Sequence, residues 1–306
     1  MNTPVAFLVF NRPEVTRQVF ARIREARPSR LHVVCDGPRP HRPDDAAKVA
    51  AVRAIIDQGV DWPCEVVRDY AEENLGCRDR IATGLNRLFS EVEEAIILED
   101  DCLPDPTFFP FCSELLSHYR DDTRVMHIGG TNITAGHVRD SNRFWVSHHV
   151  PIWGWATWRR AWRHYDFTMK TWEARQQILR SSFANSWERQ FWLSDWSRIH
   201  RDIAHSTTWD IMWHYTVRAA AGLALIPTAN LVENIGIGAD STHTSSEASH
   251  LRVPATPALD GPYPRRLRRS RFRDDLLTRV YARSGIGVSD TVRALLRNSL
   301  AAVRRS

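Results

Sequence analysis

Over the first hundred residues, short apolar runs alternate with longer amphipathic stretches, and few folds accept that order. Residues 5–10 read as a strand and 12–25 as a helix entered through Pro13, which a first helical turn tolerates. Residues 31–35 make a second strand, ended by the Asp-Gly-Pro turn at 36–38. Asp44 and Asp45 open a helix to about residue 57, since acidic side chains suit a helix N-terminus. A strand over 64–68, a helix over 79–89 and a strand over 95–98 continue the series. The expectation is an α/β, Rossmann-like fold, a mostly parallel sheet flanked by helices.

From residue 145 to 213 the character changes, because eleven of the twelve tryptophans fall there and only Trp62 lies outside. Beyond it Pro254, Pro257, Pro262 and Pro264 punctuate a linker, followed by an Arg-rich segment with a short amphipathic stretch near 291–303. With 306 residues, 43% hydrophobic and 25% charged, the chain can bury a core without disulfide or metal staples, which excludes collagen-like and disordered classes. The five cysteines contain no CxxC pair, pointing to reduced thiols rather than a disulfide framework or zinc knuckle. No run approaches the roughly 18 to 20 apolar residues of a membrane span. Residues 5–10 are too short for a signal-peptide core and lack preceding basic residues, so the expected location is cytoplasmic. Residues 265–306 hold twelve arginines against Asp274, Asp275 and Asp290, a surplus above the whole chain's net +5, so the body is net negative and no nucleic-acid partner is expected.

The sharpest local feature is Ala95-Ile96-Ile97-Leu98 running straight into Glu99-Asp100-Asp101. In an open α/β sheet, ligands bind beyond the carboxyl ends of the strands, which is where this triplet falls. Three adjacent carboxylates repel one another, and a hard cation such as Mg²⁺ or Mn²⁺ would relieve the repulsion and hold a diphosphate. Taken alone, the triplet fits a solvated turn equally well.

Several segments, in order, resemble the GT-A fold of nucleotide-sugar-dependent glycosyltransferases, above all the inverting N-acetylglucosaminyltransferases that extend N-glycan mannose and their bacterial relatives. They are Phe10-Asn11-Arg12-Pro13, Cys35-Asp36-Gly37, Ile97-Leu98-Glu99-Asp100-Asp101 with Pro104-Asp105-Pro106, Pro151-Ile152-Trp153-Gly154-Trp155, Trp209-Asp210-Ile211-Met212-Trp213, and Ile226-Pro227 through Ser241-Thr242-His243. The resemblance implies a GT-A-like domain over residues 1–250, with a nucleotide-sugar half to about 105, an acceptor half over 106–250, and a linker and helical tail over 251–306. It implies Asp101 as the metal-coordinating carboxylate, with His243 on the metal or diphosphate. Glu99 and Asp100 would contact donor sugar and ribose hydroxyls, Asp36 the uracil edge, and Arg12 the nucleotide. The helix carrying Arg78 and Arg80 lies where the family has a donor-contacting His. This sequence has none there, and Arg80 is the candidate for that contact. Cofactor and donor would be Mn²⁺ or Mg²⁺ and a UDP-sugar, and the acceptor a glycan, a lipid-linked sugar or a protein.

Asp210 matches the family's catalytic base, although Ile211 stands where the family has a second Asp. Direct displacement at an anomeric carbon wants one carboxylate to take the acceptor's proton. Without the resemblance, Asp210 after Thr207-Thr208 reads as a helix cap. Trp153, Trp155 and Trp209 are the acceptor-side candidates, because they flank a glycine or the candidate base, and the other tryptophans read as core. His148 and His149, adjacent on a strand, point to opposite faces and read as structural. The Arg-rich tail fits a peripheral membrane contact at the inner face of the membrane, packing onto the body, or a disordered end. A sugar-nucleotide nucleotidyltransferase and a non-catalytic carbohydrate-binding protein are the alternative functions. The first should carry a Gly-rich basic loop after strand one, where this chain has Phe10-Asn11-Arg12-Pro13.

Overall fold

A computed structural model describes residues 1–138, 141–236, 251–264 and 266–284. The first half is β1 (Val5–Val9), α1 (Pro13–Ala26), β2 (Arg30–Cys35), α2 (Asp45–Gly59), β3 (Glu65–Tyr70), α3 (Cys77–Glu91) and β4 (Glu94–Glu99). Pro13 starts α1 where a missing N–H costs nothing, and Arg27 ends it in the left-handed region at φ 49°. The chain continues through β5 (Cys102–Pro104), α4 (Phe108–His118), β6 (Val125–Gly129), β7 (Phe144–Ser147), β8 (Trp155–Trp158), α5 (Arg159–Trp162), α6 (Trp172–Ser181), α7 (Ser186–Arg201), α8 (Asp210–Ala219), β9 (Leu223–Pro227), β10 (Val232–Asn234) and α9 (Arg271–Ser284).

Eight strands form one sheet in the order β3-β2-β1-β4-β8-β6-β9-β7, with a small ribbon of β5 and β10 beside it. The fold is the expected mixed α/β one. The block β3-β2-β1-β4 is wholly parallel, and β8 enters antiparallel between β4 and β6. Every residue of β1 is buried, as is Ala95 to Leu98 of β4, because helices cover both faces there. One core layer sets Phe7, Leu98 and Phe108 against α1, α2 and α4, and the other sets Ile97, Leu85 and Trp213 against α3 and α8.

The sheet reverses direction between β1 and β4. From β1 the chain steps outward to β2 and β3, then returns to place β4 on β1's other edge. That is a topological switch point, where the loops after two neighbouring strands part and leave a crevice.

Nine of the eleven tryptophans of the Trp-rich region are buried, so the region is a core rather than a sugar-binding surface. The described part of the basic tail packs on the body, with Leu277 fully buried beside Trp145 and Ile226. Residues 285–306 lie outside the described residues. No helix among the described residues is long and apolar enough to cross a membrane, and all five cysteines are free.

Candidate active site

The residues following β1 and β4 meet at the switch point. Arg12, one residue before α1, reaches across 88 positions to Asp100, donating through Nη2 to Oδ1 and through Nε to Oδ2 at 3.4 Å. Its Nη1 lies 3.0 Å from Asp101 Oδ2. Burial alone would lower the guanidinium's pKa, but the charges of Asp100, Asp101 and Glu99 override it and raise it. Asp101 is also fixed from the ribbon side, since Ile235 N donates to its carbonyl at 2.8 Å. A Cβ added to Gly236 would lie 2.3 Å from Asp101 Oδ2, so only glycine fits this close approach.

Glu99 is the member without a partner. Its Oε1 is shut off from solvent and accepts no hydrogen bond. Burial, then the charges of Asp101, Asp100 and Asp210, push its carboxyl well above the usual range. Burial also pushes Asp100 up, to about 6, against the pull of Arg12. Carboxyl groups in this state take up a proton or a cation, and one guanidinium balances only one of three charges. The donor set is all oxygen, as Mg²⁺ and Mn²⁺ prefer, so these residues fit a divalent cation. His243, the other expected ligand, lies outside the described residues.

Asp36 follows β2 and is buried, with both oxygens engaged. Oδ1 accepts from Gly37 N and Leu75 N, each at 2.9 Å, and Oδ2 accepts from Asn74 Nδ2 and Gly76 N, each at 3.0 Å. It thus pins the turn that launches α3, where Gly76 takes φ +80°. Cys77, first in α3, is a residue sequence reading missed. The crowding of protein atoms around it, then the charges of Glu99, Asp210, Asp36 and Asp100, push its thiol up, although the residue keeps contact with solvent. Crowding combined with exposure is the situation of a side chain lining a cleft, here one near carboxylates at the ends of β2 and β4 and at the start of α8.

Asp210 is the first residue of α8 and makes no cap hydrogen bond, so it is not a helix cap. The one hydrogen bond its side chain accepts among the described residues comes from Thr208 Oγ1. An acidic side chain suits this end of the helix dipole. Asp195 on α7 is a second residue sequence reading missed: burial pushes it up to about 6 against its 2.7 Å bond from Arg198, with a small further push from Asp210. Nothing in the local sequence of α7 marks it.

Three expected residues are placed elsewhere. Arg80 is buried, its Nε donating to Cys35 O at 3.3 Å and its Nη2 to Asp69, so it staples α3 to β2 and β3. Trp155 is fully buried, with Trp209 stacked on it at 5.7 Å and His127 at 5.3 Å. Trp209 is 3% exposed, and its ring face is spent on Trp155. Neither indole offers a free face to a sugar. Trp153 is half-buried next to Gly154, whose own neighbours are Val232 and Leu98, which places the segment over the end of β4.

A second charged cluster lies away from the switch point. Ligand atoms of His149, Glu188 and Asp274 fall within 4.8 Å of one another, a spacing a metal could use. Arg218 and Arg269 already donate to Glu188 at 3.0 and 3.1 Å, and Arg269 also pairs with Asp274. With two guanidinia balancing two carboxylates, the cluster works as an ion-pair network that seats α9. His148 has no part in a metal pair with His149.

No protein-family model matches the sequence, and no curated protein matches it. Among solved structures, an apo UDP-glucose pyrophosphorylase aligns with a TM-score of 0.36 at 8% identity, covering 76% of this chain and 93% of that one.

Proposed function

We propose that the chain is a metal-dependent, inverting glycosyltransferase of GT-A type. In this reading it moves a sugar, GlcNAc or a related hexose, from a UDP-sugar to a hydroxyl of a glycan, lipid-linked or protein acceptor. One observation carries the reading: Arg12, Glu99, Asp100 and Asp101 converge at the β1/β4 switch point, and the charge of Asp210 lies near enough to push the Glu99 carboxyl up. A cation-binding side and a separate carboxylate facing it are the two things direct sugar transfer needs.

In this reading residues 1–250 form the transfer domain, with the nucleotide-sugar half to about 105 and the acceptor half after it. Asp101, with Glu99 and Asp100 beside it, would hold Mn²⁺ or Mg²⁺, which would supply positive charge to a departing nucleoside diphosphate. Asp36 shapes the nucleotide end by fixing the turn at 74–76. Asp210 accepts the acceptor hydroxyl's proton as the new bond to the anomeric carbon forms and the bond to the diphosphate breaks. One base suffices, because the diphosphate leaves as an anion. Trp153 borders the acceptor side.

Calorimetry with UDP, with and without Mn²⁺, tests the reading. Binding that depends on the metal is expected, and its absence would overturn the cation site. A donor-hydrolysis screen over UDP-, GDP- and TDP-sugars then identifies the nucleotide. Formation of UTP from a UDP-sugar and pyrophosphate would reassign the protein as a nucleotidyltransferase.

A further inference from the structure

Resting on that reading, we propose that Arg12 is a built-in substitute for the divalent cation: its ion pair with Asp101 and cation binding at Asp101 exclude each other.

The guanidinium spans two adjacent carboxylates as a planar fork, Nη2 and Nε on Asp100 and Nη1 on Asp101 Oδ2 at 3.0 Å. Among the described residues, three other groups crowd Asp101. Its Oδ1 faces Cys102 Sγ at 3.5 Å, its carbonyl accepts from Ile235 N, and Gly236 lies so close that an added Cβ would stand 2.3 Å from Oδ2 and 2.8 Å from Arg12 Nη1. A cation taking the side of Oδ2 that Nη1 faces must displace Nη1. The guanidinium stays charged at any workable pH, so competition alone can move it. The fork also leaves Glu99 Oε1 buried and unpartnered, which a doubly charged ion would correct and Arg12 does not. Arg12 thus holds the acidic triplet together before the cation arrives, at the expense of the cation's affinity.

The test is Mn²⁺ titration of the full chain, read by the electron paramagnetic resonance signal of free Mn²⁺, for wild type, Arg12→Gln and Arg12→Lys. If Arg12 competes, the Gln variant binds Mn²⁺ about tenfold or more tightly than wild type, within the usual range for two coupled ligands. The Lys variant keeps a charge but cannot span both carboxylates, and falls between. Melting temperature gives a second readout: the Gln variant loses stability without metal and recovers more on adding Mn²⁺ than wild type does. A folded Gln variant that binds Mn²⁺ equally or more weakly overturns the proposal and makes Arg12 a supporting partner of the site. Should the Gln variant fail to fold without metal, the Lys variant decides by the same comparison. Absence of Mn²⁺ binding in all three chains overturns the cation reading itself, and this inference with it.

Discussion

Asp36→Asn separates two roles that the same carboxylate could play, reading a nucleobase or building the turn that surrounds it. The structure gives it four donors: Gly37 N and Leu75 N on one oxygen, Asn74 Nδ2 and Gly76 N on the other. An asparagine keeps one accepting oxygen and turns an NH₂ toward the second pair. The Asn74 amide can rotate to meet it only by giving up its 2.8 Å bond to Gly37 O, and Gly76 N is left facing a donor. Losing the charged acceptor and orphaning one part-buried N–H should together cost about 2 to 4 kcal/mol. For a chain of this size that is a fall in melting temperature of roughly 3 to 6 °C. Thermal unfolding without any nucleotide, alongside UDP calorimetry, measures both roles. The turn-building account expects stability and UDP affinity to fall together. An Asn variant with wild-type melting and weakened UDP binding would refute it and return Asp36 to direct contact with the base.

Asp210→Asn should leave UDP and Mn²⁺ affinity intact and lower transfer by roughly 10² to 10⁴; near-normal transfer in a folded variant removes Asp210 as the base. Gly236→Ala should impair Mn²⁺ binding, because the methyl needs the space of Asp101 Oδ2; a Mn²⁺ titration matching wild type would show that the ribbon yields easily. Glu188 gives a pH signature: burial opposes its charge, but His149 and Arg218 override that and lower its pKa from 4.5 to about 2. The stability it contributes is complete above pH 4.5 and fades as the pH falls toward 2. Urea midpoints measured from pH 7 to 3 should therefore drop more steeply below pH 4.5 in wild type than in Glu188→Gln, and parallel curves would contradict the assignment.

The first half of the fold was legible because β1 and the middles of β2 and β4 are buried on both sides and read as largely apolar runs, cut by Pro13, Gly37 and Gly76. Residues 5–10 against the observed Val5–Val9, and 31–35 against Arg30–Cys35, show how closely such punctuation locates an element. The second half resisted because β8 is Trp-Ala-Thr-Trp, a spacing that serves helix or strand, and its antiparallel seat between β4 and β6 depends on partners far along the chain. Arg12, Asp36 and Asp101 stood out by following strands. Arg80 did not fit because the register of α3 turns its side chain back toward β2 and β3. The burial of Trp155 and Trp209 was not legible, since exposure is set by what packs on a ring, here His127, Trp162 and Trp213 around Trp155.

The network under α9 also orders events during synthesis. Glu188 and Arg218 emerge from the ribosome well before Arg269 and Asp274, by roughly 3 to 10 s at the usual rate of chain growth. In that interval Ser147, Trp192 and His149 lack the Asp274 and Thr278 side chains that bond them in the finished protein. The interior face of β7 and α7 stays open to chaperones and proteases until α9 closes it, and a chain cut before residue 269 would keep that face open for good.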